Sequence, residues 1–169
     1  MWRGAKTANE KELRNAAFLR TRIEFINNFF GPDEVDAIWL TFPDPHPGKS
    51  NSNKRLTCPW FLNKYRNFLI NKGIVCLKTD NGELFDYTRR IALANNLEII
   101  FETQDLYSEA GLEVKDDSSQ GSINRFLNEH AGVLSIKTYY EHMFIQKKLR
   151  IHFLAFILDK DVIKSNGQQ

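Results

Sequence analysis

The chain has 169 residues, enough for one domain with its own core and too few for two. Hydrophobic residues make up 42% and aromatics 12%, which excludes a disordered chain, and no apolar run reaches the ~20 residues that cross a bilayer. The net charge of +2 says little by itself, so the distribution of charge must carry any statement about charged partners.

The N-terminal stretch "MWRGAKTANEKELRNAAF" is charged and lacks the apolar centre of a signal peptide. Residues 2–14 read as a helix, "AAFLR" (16–20) as a short apolar run, and residues 23–30 as a second helical stretch. "VDAIWLTF" (35–42) is a compact buried strand, bounded by "GPDE" before it and by the Pro43-Asp44-Pro45 bend after it. Thr57 is placed to cap a helix through "CPWFLNKYRNFLI", with Pro59 in its first turn, and Asn71-Lys72-Gly73 ends it. "IVCLKT" (74–79) is a second buried strand. Asp80 to Glu83 opens a helix to about Asn95, and "LEIIFET" follows as a strand. Residues 108–135 are polar and rich in Gly and Ser, and read as a mobile insertion with a short helix at 123–130. "IHFLAFIL" (151–158) is the last strand before a polar tail, and Phe25, Phe29, Phe30, Phe61 and Phe68 are assigned to the core.

Buried strands alternating with helices imply an α/β fold with a mainly parallel sheet, as one domain over 1–169. Ligands of such sheets sit off the carboxyl ends of the strands. Asp44 and Asp80 both follow such ends and are expected to face one crevice. Between them no Asp or Glu occurs, while Lys49, Lys54, Arg55, Lys64, Arg66, Lys72 and Lys78 do. That one-sided segment is either a contact for a polyanion or a solvated face. Cys58 and Cys76 form no CxxC, and His46, His130, His142 and His152 show no metal-ligand spacing, so no metal is expected and a reducing cytoplasm is the simplest location.

Each polar candidate also has a local structural reading. Asp44 suits a turn in which it caps its own backbone. Asp80-Asn-Gly-Glu83 and Thr138-Tyr-Tyr-Glu141 both fit the capping box that opens a helix.

"IWLTFPDPHP" followed by "NKRLTCPWFLNKY" resembles the segment that marks bacterial tRNA (guanine-N7)-methyltransferases. "LKTDN" (77–81) is similar to that family's second aspartate motif, "TYYE" (138–141) to its third, and "WRGAKTA" and "FLRTRIE" to segments before the first. The resemblance implies a Rossmann-like class I methyltransferase fold with an antiparallel last strand. It further implies S-adenosyl-L-methionine as methyl donor and tRNA as partner, with N7 of a guanosine in the variable loop as acceptor. It makes Asp44 the catalytic residue and a cofactor contact, and Arg22 a neighbour of the cofactor's adenine. Lys49, Lys54 and Arg55 become phosphate contacts, and Asp80, Thr138, Tyr139, Tyr140 and Glu141 contacts of the guanosine.

The chain departs from the family pattern at two places. No Gly-x-Gly occurs, so the family's glycine-rich cofactor loop and its first two strands have no counterpart, as expected of a C-terminal fragment. Ser50, Asn51, Ser52 and Asn53 stand where the family's loop is more basic, and Gly48 where it often has lysine. "VDAIWLTF" is then expected to be an open sheet edge, covered by "AAFLR", by a second copy of the chain or by aggregation. The rival expectation is a non-catalytic RNA-binding protein that keeps only the guanosine side of the crevice.

Overall fold

The computed structural model describes residues 2–107, 120–159, 161, 163 and 164. Four strands form one sheet among them: β1 (Val35–Thr41), β2 (Leu69–Thr79), β3 (Ile99–Thr103) and β4 (His152–Leu158). Their order is β1-β2-β4-β3. β1 and β2 pair in parallel, and β4 runs antiparallel to both β2 and β3. Three strands therefore point one way, with β4 reversed between two of them. The helices are α1 (Trp2–Glu10), α2 (Pro59–Tyr65), α3 (Gly82–Ala94), α4 (Gln120–Ser135) and α5 (Tyr139–Gln146), with 3₁₀ turns at Ile23–Asn28 and Lys49–Lys54.

Alternation along the strands divides the core between two faces. Val75, Leu77, Leu154 and Phe156 pack against Phe61, Leu62, Tyr65, Leu84 and Phe85 of α2 and α3. Cys76, Phe153 and Ala155 pack on the other face, against Phe126 and Leu134 of α4. α4 is thus longer than the short helix expected from sequence, and it belongs to the core; the rest of the expected insertion, residues 108–119, lies outside the described residues.

Several boundaries differ from the sequence reading for local reasons. α1 stops at Glu10, because Glu12 takes a positive φ of 51°. "AAFLR" forms no strand: residues 11–20 are exposed, and Phe18 folds back over Gly4. The 3₁₀ turn at Ile23–Asn28 points Ile23, Ile26 and Phe30 at the core, which leaves Phe25 and Phe29 about half exposed, contrary to expectation. Within the polar tail, residues 163 and 164 are pinned by side-chain hydrogen bonds. Asn63 exchanges two hydrogen bonds with the backbone of Ile163, and Asn95 does the same with Lys164.

β2 begins five residues earlier than the apolar run suggests. Leu69 pairs with Val35, a register shift follows, and Ile74 pairs with Ala37. Lys72 absorbs the irregularity with a φ of 59°. Gly73 lies directly under the buried Leu69, so a Cβ there would stand 2.8 Å from Leu69 Cδ2 and 2.9 Å from Cδ1. Gly73→Ala is therefore expected to lower the unfolding free energy by ~1–3 kcal/mol in urea titration. Gly132→Ala, where nothing lies within 4 Å, is the control and should be neutral or stabilising.

Candidate functional site

The first two parallel strands end side by side. Thr41 is the register partner of Lys78, and the Phe42 N–H donates to the Lys78 carbonyl at 2.8 Å. Phe42 then takes a φ of 50°, which turns Pro43-Asp44-Pro45 away from the sheet, while its ring rests on Phe144 at 5.8 Å. Asp80 follows two residues after Lys78 on a strand only ~4.8 Å away. Asp44 and Asp80 therefore leave the same edge of the sheet, and both are exposed.

The side chain of Asp44 is 71% exposed. Its Oδ1 accepts the His46 N–H at 3.1 Å, and Oδ2 lies 3.9 Å from His46 Nδ1. The turn role is thus real, and it fixes one oxygen while the other stays open to a ligand. Asp80 differs from its expected capping role. The N-cap of α3 is Asn81, whose Oδ1 accepts the Leu84 N–H at 2.8 Å, and Thr79 Oγ1 accepts the Asn81 N–H. Asp80 thus lies one residue outside the cap and is exposed.

The cationic loop divides into two parts. Lys49 and Lys54, at either end of the 3₁₀ turn, are exposed. Arg55 is not a solvent-facing phosphate contact, because its side chain is 3% exposed. It donates to the Pro45 and His46 carbonyls at 3.0–3.2 Å, pairs with Glu83 at 2.6 Å and lies 4.5 Å over the Tyr87 ring. A guanidinium suits this position, since its planar fork can serve two carbonyls and a carboxylate together. Arg55 thereby fastens the loop that carries Asp44 to the first turn of α3. Glu83 is occupied by this pair, so the capping box expected at residues 80–83 does not form.

The box expected at residues 138–141 does form. Thr138 Oγ1 accepts the Glu141 N–H, and Glu141 Oε2 accepts the Thr138 N–H at 2.6 Å. Glu141 is fully buried, and its Oε1 also receives Lys78 Nζ at 2.5 Å and the Tyr107 hydroxyl at 2.6 Å. Its burial would raise the carboxyl pKa, but Lys78, Tyr107 and Thr138 outweigh that and hold it below the usual carboxylate value. Burial and the bond to Glu141 together push the Tyr107 phenol upward. Both Glu141 oxygens are engaged by protein groups, whereas Thr138 is exposed at the helix start. Tyr139 and Tyr140 open α5, and their side chains lie outside the described residues.

Two participants escaped the sequence reading. Lys78, within "IVCLKT", was counted with the surface cations, although a lysine inside a buried strand needs a carboxylate partner. His152, the register partner of Thr79, stacks on Phe85 at 5.2 Å. Its Nδ1 is buried without a hydrogen-bond partner among the described residues. Burial holds its pKa below the ordinary histidine value, against the opposing pull of Asp86, Asp105 and Asp80.

Arg22 is exposed and makes its contacts within its own turn, to Glu24 at 3.1 Å and over the Phe25 ring. An open hollow of about 270 Å³ lies between α3 and the end of β3, lined by Phe85, Asp86, Arg89, Glu102, Thr103 and Gln104. It includes neither Asp44 nor Arg22. Among the described residues no group of three or more His, Cys, Asp or Glu could hold a metal, and no helix is long and apolar enough to cross a membrane.

A family model described as "Putative methyltransferase" matches residues 3–152. The curated tRNA (guanine-N(7)-)-methyltransferase of Bacteroides fragilis is 39% identical over 161 residues, covering 95% of this chain and 56% of that protein. Its counterpart in Bacteroides thetaiotaomicron is 40% identical, with the same coverage. That of Porphyromonas gingivalis is 38% identical over 156 residues, covering 92% and 56%. The chain spans about half the length of these curated relatives.

Proposed function

The chain belongs to the tRNA (guanine-N(7)-)-methyltransferase family, and from that premise we propose that it binds tRNA and places a variable-loop guanosine for methylation at N7, in the cytoplasm. S-adenosyl-L-methionine supplies the methyl group as an electrophilic sulfonium. Guanine N7 already carries an in-plane lone pair, so no base has to remove a proton before attack. The task left to the protein is to orient the ring, exclude water and stabilise the positive charge that grows on it. Asp44 is the catalytic residue in this reading: its open Oδ2 accepts from guanine N–H donors. Asp80 and Thr138 contact the same nucleoside, with Tyr139 and Tyr140 beside them. The observation that carries the proposal is the departure of Asp44 and Asp80 from the adjacent carboxyl ends of β1 and β2.

The described residues fit the acceptor better than the donor. Arg22 is engaged with Glu24, and Asp44 is the one predicted donor contact in the crevice. No step is therefore routed through the donor. This favours, as a second reading, a protein that binds tRNA without transferring a methyl group. Incubation with unmodified tRNA and methyl-labelled S-adenosyl-L-methionine, followed by mapping of N7-methylguanosine, separates the two. Label at N7 supports the first reading, tRNA binding without label supports the second, and the absence of both binding and label sinks both.

Phosphate contact is assigned to Lys49 and Lys54, with Arg55 supporting the loop from inside. Alanine at Lys49 and Lys54 together is expected to reduce the slope of log affinity against log salt by about two. Arg55→Ala should weaken tRNA binding without flattening the slope. Filter binding across a salt series checks both, and an unchanged slope in the double variant would return these lysines to a solvated face. β1 pairs with β2 alone among the described strands, so its outer edge supports self-association of the chain there. Light scattering tests this, and a monomer throughout the micromolar range would remove it.

A further inference from the structure

Lys78 Nζ lies inside the protein at a junction of four segments. It pairs with Glu141 of α5, reaches the Ile136 carbonyl between α4 and α5 at 3.4 Å, and sits 5.3 Å over the Tyr107 ring after β3. Lys78 and Glu141 are 6% and 0% exposed in their side chains. A buried ion pair of this kind is a poor source of net stability, because desolvation of two charges consumes most of the attraction. What it supplies is a single geometry. Lys78 stands two residues before Asp80 on a strand, which fixes its offset from that carboxylate. Glu141 receives Lys78 on Oε1 and the Thr138 N–H on Oε2, so one carboxylate joins the ammonium to the first residue of the third motif.

We infer that Lys78 is a positioning residue: acting through Glu141, it sets the start of α5, with Thr138, against the end of β2, with Asp80, so that both face one guanosine. The inference rests on the guanosine-binding reading above. It gives Glu141 a role that leaves its carboxylate inside the protein. It also explains why a lysine occupies a strand position whose neighbours Leu77 and Thr79 are fully buried.

The test compares the wild type, Lys78→Met and the double variant Lys78→Met/Glu141→Gln. Methionine keeps the length of the side chain without its charge, and glutamine removes the stranded carboxylate while still accepting a hydrogen bond. Three quantities are read: the unfolding midpoint, exchange of the Thr138 and Glu141 amide protons, and kcat/KM for unmodified tRNA. The double variant is expected to regain about half of the midpoint lost by Lys78→Met. Its Thr138 and Glu141 amides should still exchange faster, and kcat/KM should stay down by roughly 10²-fold, the cost of a misplacement of about 1 Å. A double variant that recovers transfer together with its midpoint overturns the inference, because the pair would then be structural only. A wild type that neither binds nor methylates tRNA removes the functional reading itself, and the inference with it. The two failures are distinguishable.

Discussion

Asp44→Ala is expected to lower the rate of methyl transfer to tRNA by ~10²-fold or more, the usual loss when one preorganised electrostatic group is removed from an active site. The carboxylate sits on a turn outside both halves of the core, so the fold should survive, with a loss of about 1 kcal/mol for the missing bond to the His46 N–H. Asp44→Asn separates the two roles of the residue. Its amide oxygen can keep the turn bond, while the charge that offsets the developing positive ring is gone. Both variants should therefore be slow, with the asparagine form closer to wild type in its melting temperature. Initial-rate assays beside thermal melts measure this. Near wild-type transfer by Asp44→Ala would remove the residue from the chemistry and leave it a turn aspartate.

Lys78→Met should cost about 3–5 kcal/mol of folding free energy, because it strands the Glu141 carboxylate in the interior with no cation. Adding Glu141→Gln should return about 2 kcal/mol, since a neutral amide can still satisfy Thr138 or Tyr107. The pH dependence gives a second check. In the wild type Glu141 is held below its ordinary pKa of 4.5, so its contribution is complete above that pH and is lost as the pH falls further. In Lys78→Met the same carboxyl keeps its burial and loses a main stabilising partner, so protonation relieves it. The stability gap between wild type and Lys78→Met should narrow as the pH drops below about 4.5. A gap that stays constant from neutral pH to pH 3 would argue against a buried pair.

Much of this architecture was legible wherever the signal is local. The apolar run before Pro43-Asp44-Pro45 located β1 and its carboxylate, and the Thr-x-x-Glu pattern located the start of α5. The cap of α3 was misplaced by one residue because Asp80 and Asn81 are equally good caps by type. Thr79 and Asn81 settle it through bonds that spacing does not reveal. The partners of the buried cations were not legible. The partner of Arg55 is Glu83, 28 residues on, and the carboxylate partner of Lys78, Glu141, lies beyond α4 in the chain. Charge patterning therefore treated both as surface residues. The start of β2 was missed for a related reason: Leu69 joins the sheet across an irregular Lys72-Gly73 step that interrupts the apolar pattern.

The place of β4 has a kinetic consequence. Among the described strands, β2 and β3 are joined through β4 alone, which is made only after α3, α4 and α5. On a ribosome adding about 5–20 residues per second, roughly 4–16 s separate synthesis of Thr79 from that of Leu158. Until then the flank of β2 awaiting β4 stays open, and β3 has no strand to pair with. Non-local closure of this sort slows folding, and an open strand flank is the usual site of mispairing between nascent chains. The polypeptide should refold slowly from denaturant and gain yield on dilution, as expected when sheet completion competes with association.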